Sequence, residues 1–255
     1  MFRPLRTMRY PDRKLRLLLS GHHHMVTLER WREAQSTEPS FYAGMSLGVT
    51  DSLDVLYHNA VKARYLSGLL REIPQVSVEV GPGPWGLGIS GYLREIPVRV
   101  CVEPDPRIDL DPTAPFASFI TEWRRPVRYV VGVGESIPLA SESADLVICC
   151  NVVDHARDAD KFLSELNRIL KPGGLFFFDV DTFSALGLLK WHLWTKHRHQ
   201  DELLVIAHTY RMFEPDVVRR LKAAGFEITR REGHNLLSLM VGHSRNSRFV
   251  LRKRG

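Results

Sequence analysis

The chain has 255 residues, of which 44% are hydrophobic and 25% charged, a composition typical of globular proteins and unlike that of disordered or fibrous ones. No apolar run approaches the ~20 residues of a membrane-spanning helix, so we expect no transmembrane segment. The formal net charge is +6, but the basic residues crowd residues 3–16 and 245–254, where clustered charge is usually a solvated tail. Nucleic acid is therefore a disfavoured partner, and peripheral contact with an anionic membrane surface stays open.

The order of apolar patterns predicts an α/β fold. Helical spacing over residues 27–35 and 51–71 gives way, from residue 77, to short apolar runs that alternate with helical stretches. This alternation is typical of a Rossmann-like, doubly wound, mostly parallel sheet with helices on both faces. The runs predicted as strands are 77–80, 98–102, 129–133, 146–150 and 175–180.

The later part of the chain extends this pattern. We predict helices over 158–170 and 215–224 and further strands over 226–229 and 248–251. Residues 182–212 break the alternation and are predicted to be an insertion that covers the acceptor, with an extended helix pair as the alternative. The expected organisation is an N-terminal helical extension or lid, 1–75, and a core, 76–255, that carries this insertion.

A glycine-rich turn, residues 78–83 (VEVGPG), follows the first predicted strand. Glycine lets a backbone approach a ligand closely because it carries no Cβ. Glu103 ends the next strand 22 positions after Gly81, near the ~20 residues that separate such a turn from an acid that binds ribose hydroxyls. Pro82 and Pro84 lack the N–H groups that a pyrophosphate needs. The turn therefore favours a nucleoside ligand without phosphates.

Five segments in this order resemble the class I S-adenosylmethionine-dependent methyltransferases, specifically their small-molecule, methyltransferase type 11-like branch. Residues 78–83 resemble the family's first motif, and Glu103 resembles its ribose-binding acid. The other similar segments are an adenine loop at 134–139 (GESIPL), a fourth-strand motif at 145–151 (DLVICCN) and a turn before the fifth strand at 166–174 (LNRILKPGG). The resemblance runs over about 78–180 and 213–226, and it implies S-adenosyl-L-methionine as the cofactor.

The resemblance also implies which residues bind that cofactor. They are Glu79, Gly81 and Gly83 for the methionine portion, Glu103 for the ribose, Gly134, Glu135 and Ser136 for the adenine loop, and Asn151 at the end of the fourth strand. Val133 stands where family members often carry an acid that reads the adenine amino group, so backbone groups or Glu135 must do so here. Two alternatives stay open, because Glu79 is also interpretable as a salt-bridged strand end and Glu135 as a solvated loop acid.

The candidate catalytic residues follow the fourth strand. Methyl transfer from a sulfonium is an in-line displacement in which placing the acceptor supplies much of the rate. A hydroxyl acceptor must also lose its proton, and His155 is the candidate general base, with Asp154 as its alternative or its orienting partner. These residues lie at the edge where open α/β sheets bind ligands. The competing interpretation is a loop histidine that only packs near the cofactor.

The predicted insertion contains a second group of polar side chains. They are His197, His199, Asp201 and His208, whose spacing would suit a divalent metal. Such spacing is common by chance in a histidine-containing insertion, so we predict no metal. Trp191, Trp194, Tyr210 and Met212 are predicted to form an aromatic wall or part of the core.

The leading hypothesis is O-methylation of a hydroxyl on a sugar, glycolipid or other small metabolite. One alternative is methylation of RNA or protein, prompted by the basic termini, and another is a non-catalytic binding subunit that kept the fold. Cys101, Cys149 and Cys150 lie in apolar runs, and an adjacent pair suits a disulfide framework poorly. We therefore expect a cytoplasmic protein.

Overall fold

The computed structural model describes residues 27–29, 31–32, 34–36, 49–83, 88–104, 117–187, 189–190, 212–234 and 244–255. Helices α1 to α4 span Val49–Ser67, Ala117–Arg124, Ala159–Ile169 and Glu214–Ala223. Residues 28–29, 31–32, 34–36, 185–187 and 189–190 are helical as well. The strands β1 to β8 span Val76–Val80, Val98–Glu103, Arg128–Val131, Ala144–Cys150, Leu170–Phe183, Met212–Phe213, Phe226–Glu232 and Ser244–Lys253. Short 3-10 turns occupy Ile89–Gly91 and Val153–His155.

The strands form a single mixed sheet in the order β3-β2-β1-β4-β5-β8-β7, with β6 paired to β5. Strands β1 to β6 pair in parallel, whereas β8 runs antiparallel to both β5 and β7. Val80 at the end of β1 pairs with Val102 of β2 and Cys149 of β4, so three carboxyl ends meet at one edge. The predicted α/β, mostly parallel fold is confirmed.

The junction between α3 and β5 differs from the prediction. Asp158 caps α3, because its side chain accepts hydrogen bonds from the backbone N–H groups of Asp160 and Lys161. The helix ends at Ile169 and not at residue 170, since Leu170 is already extended and pairs with Ala144 of β4. Strand formation therefore begins five residues before the predicted strand at 175.

The core consists of two apolar layers, one on each face of the sheet. Phe176 and Phe178 of β5 point into one layer, where they meet the buried faces of α3 and α4. Leu175 and Phe177 point into the other, which contains Ile89, Leu93 and part of α1. Successive strand side chains alternate between faces, and helices cover both, as a doubly wound sheet requires.

Helix α1 joins the second layer through Ala63 and Leu66, whose side chains are buried. The domain boundary predicted at residue 75 stays a prediction, but this packing attaches α1 to the sheet and extends its amino-terminal half along the edge where β1, β2 and β4 end. Within the described residues no helix is both long and apolar enough to cross a membrane. The three cysteines are all described and all free.

Candidate active site

A cavity of about 670 Å³ lies at the edge of the sheet where β1, β2 and β4 end. One part of its wall, here called the cofactor half, comes from the sheet edge and contains Glu79, Gly81, Gly83, Glu103, Gly134, Glu135, Asn151 and Phe162. The other part, here called the acceptor half, contains Asp54, His58, Asn59, Lys62, His155, Asn246 and Arg248. Of the predicted cofactor residues, seven line the cavity and Ser136, which is exposed, does not.

The glycine turn after β1 has the backbone that only glycine adopts readily. Gly81 and Gly83 have φ angles of +66° and +80°, in the left-handed region. A Cβ on Gly81 would lie 2.5 Å from a methyl carbon of Val152, whereas a Cβ on Gly83 would meet no atom within 4 Å. The N–H of Gly81 donates to the carbonyl of Val102 at 2.9 Å. Gly81 is thus required by close packing, and Gly83 borders open cavity.

Glu79 is 2% exposed, and its carboxylate is hydrogen-bonded to backbone N–H groups. It accepts hydrogen bonds from the N–H groups of Ile89 at 2.9 Å and Ser90 at 2.7 Å. Burial raises the pKa of Glu79, and the hydrogen bonds from Ser90 and Ile89 oppose this in part. Its carboxylate therefore ties the 3-10 turn that follows the glycine-rich segment to the end of β1. Its predicted contact with the methionine portion stays a prediction.

The turn between β3 and β4 forms another section of the cofactor half. Ser136 donates its N–H to the carbonyl of Val133 at 3.0 Å, which closes a tight turn around Gly134. A Cβ on Gly134 would overlap the ring of Phe162, so this position needs glycine. Glu135 accepts hydrogen bonds from the N–H groups of Arg157 at 2.6 Å and Asp158 at 3.3 Å, and so links this turn to the start of α3.

The segment after β4 begins with a strained backbone. Asn151 has a φ of +53°, uncommon for a residue with a side chain. Its N–H donates to the carbonyl of Asp179 at 2.8 Å, and its side-chain oxygen accepts from Asn246 at 3.2 Å. Asn246 also donates to Asp181 at 3.4 Å. Polar side chains from β4, β5 and β8 therefore meet beside the cavity.

His155 lies in the cavity wall and Asp154 lies beneath it. The Nε2 atom of His155 is 4.0 Å from the Oδ2 atom of Asp154, and the two side chains are 20% and 6% exposed. Asp154 does not line the cavity. Of the two predicted catalytic residues, His155 is therefore the one that lines the cavity, and the predicted roles of both residues stay predictions.

The sequence did not predict a cluster of buried charged residues next to the acceptor half. Asp179 of β5 is fully buried, with Lys62 Nζ at 3.3 Å from one carboxylate oxygen and Arg248 Nε at 3.5 Å from the other. Burial lowers the pKa of Lys62, but nearby Cys150 and Asp179 outweigh it, so the pKa is raised. Lys62 comes from α1 and Arg248 from β8, and no local motif links residues so distant in the chain.

The candidate metal ligands His197, His199, Asp201 and His208 lie outside the described residues, as do Trp191, Trp194 and Tyr210. Met212 is described and is 6% exposed, in the core. Within the described part of the chain, no three His, Cys, Asp or Glu side chains are grouped so that they could hold a metal ion.

Part of this chain is similar in sequence to known methyltransferases. A family model for a methyltransferase domain matches residues 91–178. A thiol S-methyltransferase of Rattus norvegicus is 31% identical over 121 residues, which cover 46% of this chain and 49% of that protein. A ubiquinone biosynthesis O-methyltransferase of Rhizobium etli is 30% identical over 119 residues, or 42% of this chain and 44% of that protein. The chain matches about half the length of these curated relatives.

Solved structures show the same fold. The geranyl diphosphate C-methyltransferase of Streptomyces coelicolor, in complex with Mg²⁺, geranyl diphosphate and S-adenosyl-L-homocysteine, is similar with a TM-score of 0.56 at 14% identity. The similarity covers 76% of this chain and 78% of that chain. At this identity the comparison concerns the architecture of the sheet and its helices.

Proposed function

We propose that this chain, which carries a class I S-adenosylmethionine-dependent methyltransferase domain, transfers a methyl group to a hydroxyl of a sugar, glycolipid or other small metabolite. The observation that supports an oxygen acceptor is the position of His155, a histidine in the cavity wall with the buried Asp154 behind it. The activity belongs to the cavity at the carboxyl ends of β1, β2 and β4.

The cofactor half fits S-adenosyl-L-methionine. Gly83 opens onto unfilled space, where a phosphate-free methionine chain can approach the backbone. Glu103 ends β2 in the same wall, and a carboxylate there accepts hydrogen bonds from a ribose diol. Phe162 lies against Gly134 and offers an apolar ring to the adenine. When bound, the cofactor supplies an electrophilic methyl group on its sulfonium.

The acceptor half supplies the proton chemistry. We infer that His155 accepts the hydroxyl proton as the oxygen forms its bond to the methyl carbon and the carbon–sulfur bond breaks. Asp154 then stabilises the imidazolium, because its carboxylate is 4.0 Å away and only 6% exposed. Because Nδ1 of His155 is buried, we assign the proton transfer to Nε2, from which the proton then passes to solvent. Holding the acceptor in line supplies a further large part of the rate.

The composition of the acceptor half favours an acceptor with several hydroxyl groups. Asn59, Lys62 and Asn246 line it with amide and ammonium donors and amide acceptors. Hydroxyl groups both donate and accept hydrogen bonds, so a sugar ring satisfies such a wall better than a purely apolar molecule does. The described wall lacks the Lys and Arg stripe with stacked aromatic rings that single-stranded nucleic acid requires.

A matched acceptor panel tests the proposal. Methyl glucoside, 1-thioglucose and glucosamine share a ring. The first presents only hydroxyls, and the other two carry a thiol or an amine in place of one hydroxyl. With methyl-labelled S-adenosyl-L-methionine, we expect label on a hydroxyl oxygen in all three, identified by mass spectrometry. The relatives include S- and O-methyltransferases. Label found only on the thiol or the amine would therefore contradict the proposed O-methylation and identify sulfur or nitrogen as the acceptor atom.

Two further measurements separate the rival functions. Calorimetry with S-adenosyl-L-homocysteine should give tight binding, and no binding would favour a non-catalytic subunit. Labelling of bulk RNA with a steep salt dependence, in place of the small acceptors, would favour an RNA methyltransferase. A cytoplasmic location is part of the proposal and is supported by the three free thiols.

A further inference from the structure

A second cavity, of about 380 Å³, opens far from the first. Its wall contains Arg94, Arg99, Phe119, Glu122, Trp123 and Pro126, none of which lines the cavity described above. Arg99 lies at the amino end of β2, whereas Val102 and Glu103 at the carboxyl end line the first cavity. Positions 99 and 103 are four residue steps apart, or roughly 13 Å along the strand.

Arg99 is a buried cation with no carboxylate partner among the described residues. Its side chain is 7% exposed, and one guanidinium nitrogen donates to the carbonyl of Ser90 at 3.2 Å. Its Nε is buried without a hydrogen-bond partner, and within the described residues no ion pair joins it to a carboxylate. A buried charge is costly unless it is paired. An anion in the adjoining cavity would satisfy it.

The rest of the wall adds a second guanidinium and aromatic rings. Arg94 lies over the ring of Trp123, with Cζ 5.1 Å from the centroid. Phe119 lies 5.5 Å from the same ring, centroid to centroid, and is 41% exposed. Glu122, the acidic residue of this wall, already pairs with Arg125 at 2.7 Å. The cavity thus combines two arginines with an apolar aromatic surface.

We propose that this second cavity binds a small organic anion, a carboxylate or phosphate attached to a ring. Arg99 and Arg94 hold the anionic group, since a guanidinium presents paired N–H donors to carboxylate and phosphate oxygens. Phe119 and Pro126 contact the ring. The ligand would bind without displacing the methyltransferase cofactor, because the two cavities lie at opposite ends of β2.

Calorimetry with benzoate and with phenyl phosphate tests this site, and benzyl alcohol serves as the neutral control. We expect the wild type to bind at least one of the two anions and not benzyl alcohol, and the preferred anion identifies the ligand as a carboxylate or a phosphate. Arg99→Met and Arg94→Gln should each weaken binding at least about tenfold. Arg219→Gln, an exposed arginine on α4 that pairs with Asp216, is the matched control and should leave the anion affinity unchanged.

A second readout separates binding from a structural role of Arg99. Arg99→Met removes a buried charge that has no carboxylate partner among the described residues. Its melting temperature without anion should therefore equal or exceed that of the wild type, and S-adenosyl-L-homocysteine should still bind. The wild type should melt higher in benzoate or phenyl phosphate, and Arg99→Met should not. Arg94 is exposed, so Arg94→Gln tests the site even if Arg99→Met fails to fold. No binding of either anion by the wild type, or equal binding by wild type and Arg94→Gln, would overturn the proposal.

Discussion

The two halves of the main cavity are built in different ways. The cofactor half comes from turns that directly follow parallel strands. Its shape depends on glycines, because a Cβ at Gly81 or Gly134 would clash with a neighbouring side chain, whereas a Cβ at Gly83 would not. The acceptor half is assembled from α1, the segment after β4 and the antiparallel β8, and it is held by ion pairs and amide contacts. The first is determined mainly by local backbone geometry, and the second by packing between distant segments.

This difference predicts different responses to mutation. Substitutions in the cofactor half should act on cofactor affinity and leave the acceptor chemistry intact. Substitutions in the acceptor half should act on turnover or on the free energy of unfolding, while the cofactor still binds. The four changes below test this difference in both halves.

Gly81→Ala should weaken S-adenosyl-L-homocysteine binding about 100-fold, because it adds left-handed strain and a clash with Val152. Gly83→Ala is the matched control. It has the same kind of φ but meets no atom within 4 Å, so strain alone should weaken binding only about tenfold. Calorimetry measures both, and equal losses would show that packing against Val152 does not shape the site.

His155→Ala should lower kcat about 10²- to 10⁴-fold and leave S-adenosyl-L-homocysteine affinity nearly unchanged. His58→Ala is the comparison, because His58 also lines the acceptor half but its ion-pair partner is Asp54, an exposed residue at 3.4 Å. We expect it to raise KM more than it lowers kcat. Steady-state kinetics with a hydroxyl acceptor distinguishes them, and an unchanged kcat for His155→Ala would remove His155 from the mechanism.

Lys62→Met should lower the free energy of unfolding by about 3 kcal/mol, because Asp179 is fully buried and, among the described residues, would keep Arg248 as its one ion-pair partner. The pKa of Lys62 is raised in the folded state. Lys62 therefore contributes fully to the free energy of unfolding below its unfolded pKa of about 10.4. This contribution is lost as the pH rises through the pKa of the folded state. Urea unfolding should show the difference between wild type and variant shrinking above that pH. Lys222→Met, on the exposed face of α4, should change little at any pH.

Glu103→Gln should weaken S-adenosyl-L-homocysteine binding about tenfold, since a neutral amide replaces a carboxylate as the ribose acceptor. The fold should be unaffected, because Glu103 ends β2 at the cavity and is not part of the core. Glu227→Gln on β7, which is exposed, serves as the control for the lost charge. An affinity for S-adenosyl-L-homocysteine equal to that of the control would argue against Glu103 as the ribose ligand.

Sequence patterns identified seven residues that line one wall of the cavity, because the position of each depends on local structure. The spacing between Gly81 and Glu103 follows from two consecutive strands and one crossover, so a periodic pattern and a few glycines are enough to locate it. The roles of Glu79 and Glu135 were harder to foresee. Both carboxylates accept hydrogen bonds from backbone N–H groups, and those partners become visible only when the turns are in place.

The acceptor half was predicted only in part. His155 and Asp154 directly follow a strand, so their position at the edge was accessible from the sequence. Lys62 and Arg248 were not, because their meeting at Asp179 depends on β8 inserting between β5 and β7. The strand itself was predicted, but nothing in its pattern specified its neighbours or its antiparallel direction.

The central claim is that one cavity binds both the cofactor and the methyl acceptor. A crystal structure of the complex with S-adenosyl-L-homocysteine tests it most directly. The measurement is the position of the ligand's sulfur relative to Gly81, Glu103 and His155. We predict the ribose hydroxyls within hydrogen-bonding distance of Glu103, the adenine beside Phe162, and the sulfur on the side of the cavity that contains His155. A nucleoside bound away from Glu103, or a sulfur separated from His155 by protein, would contradict the account.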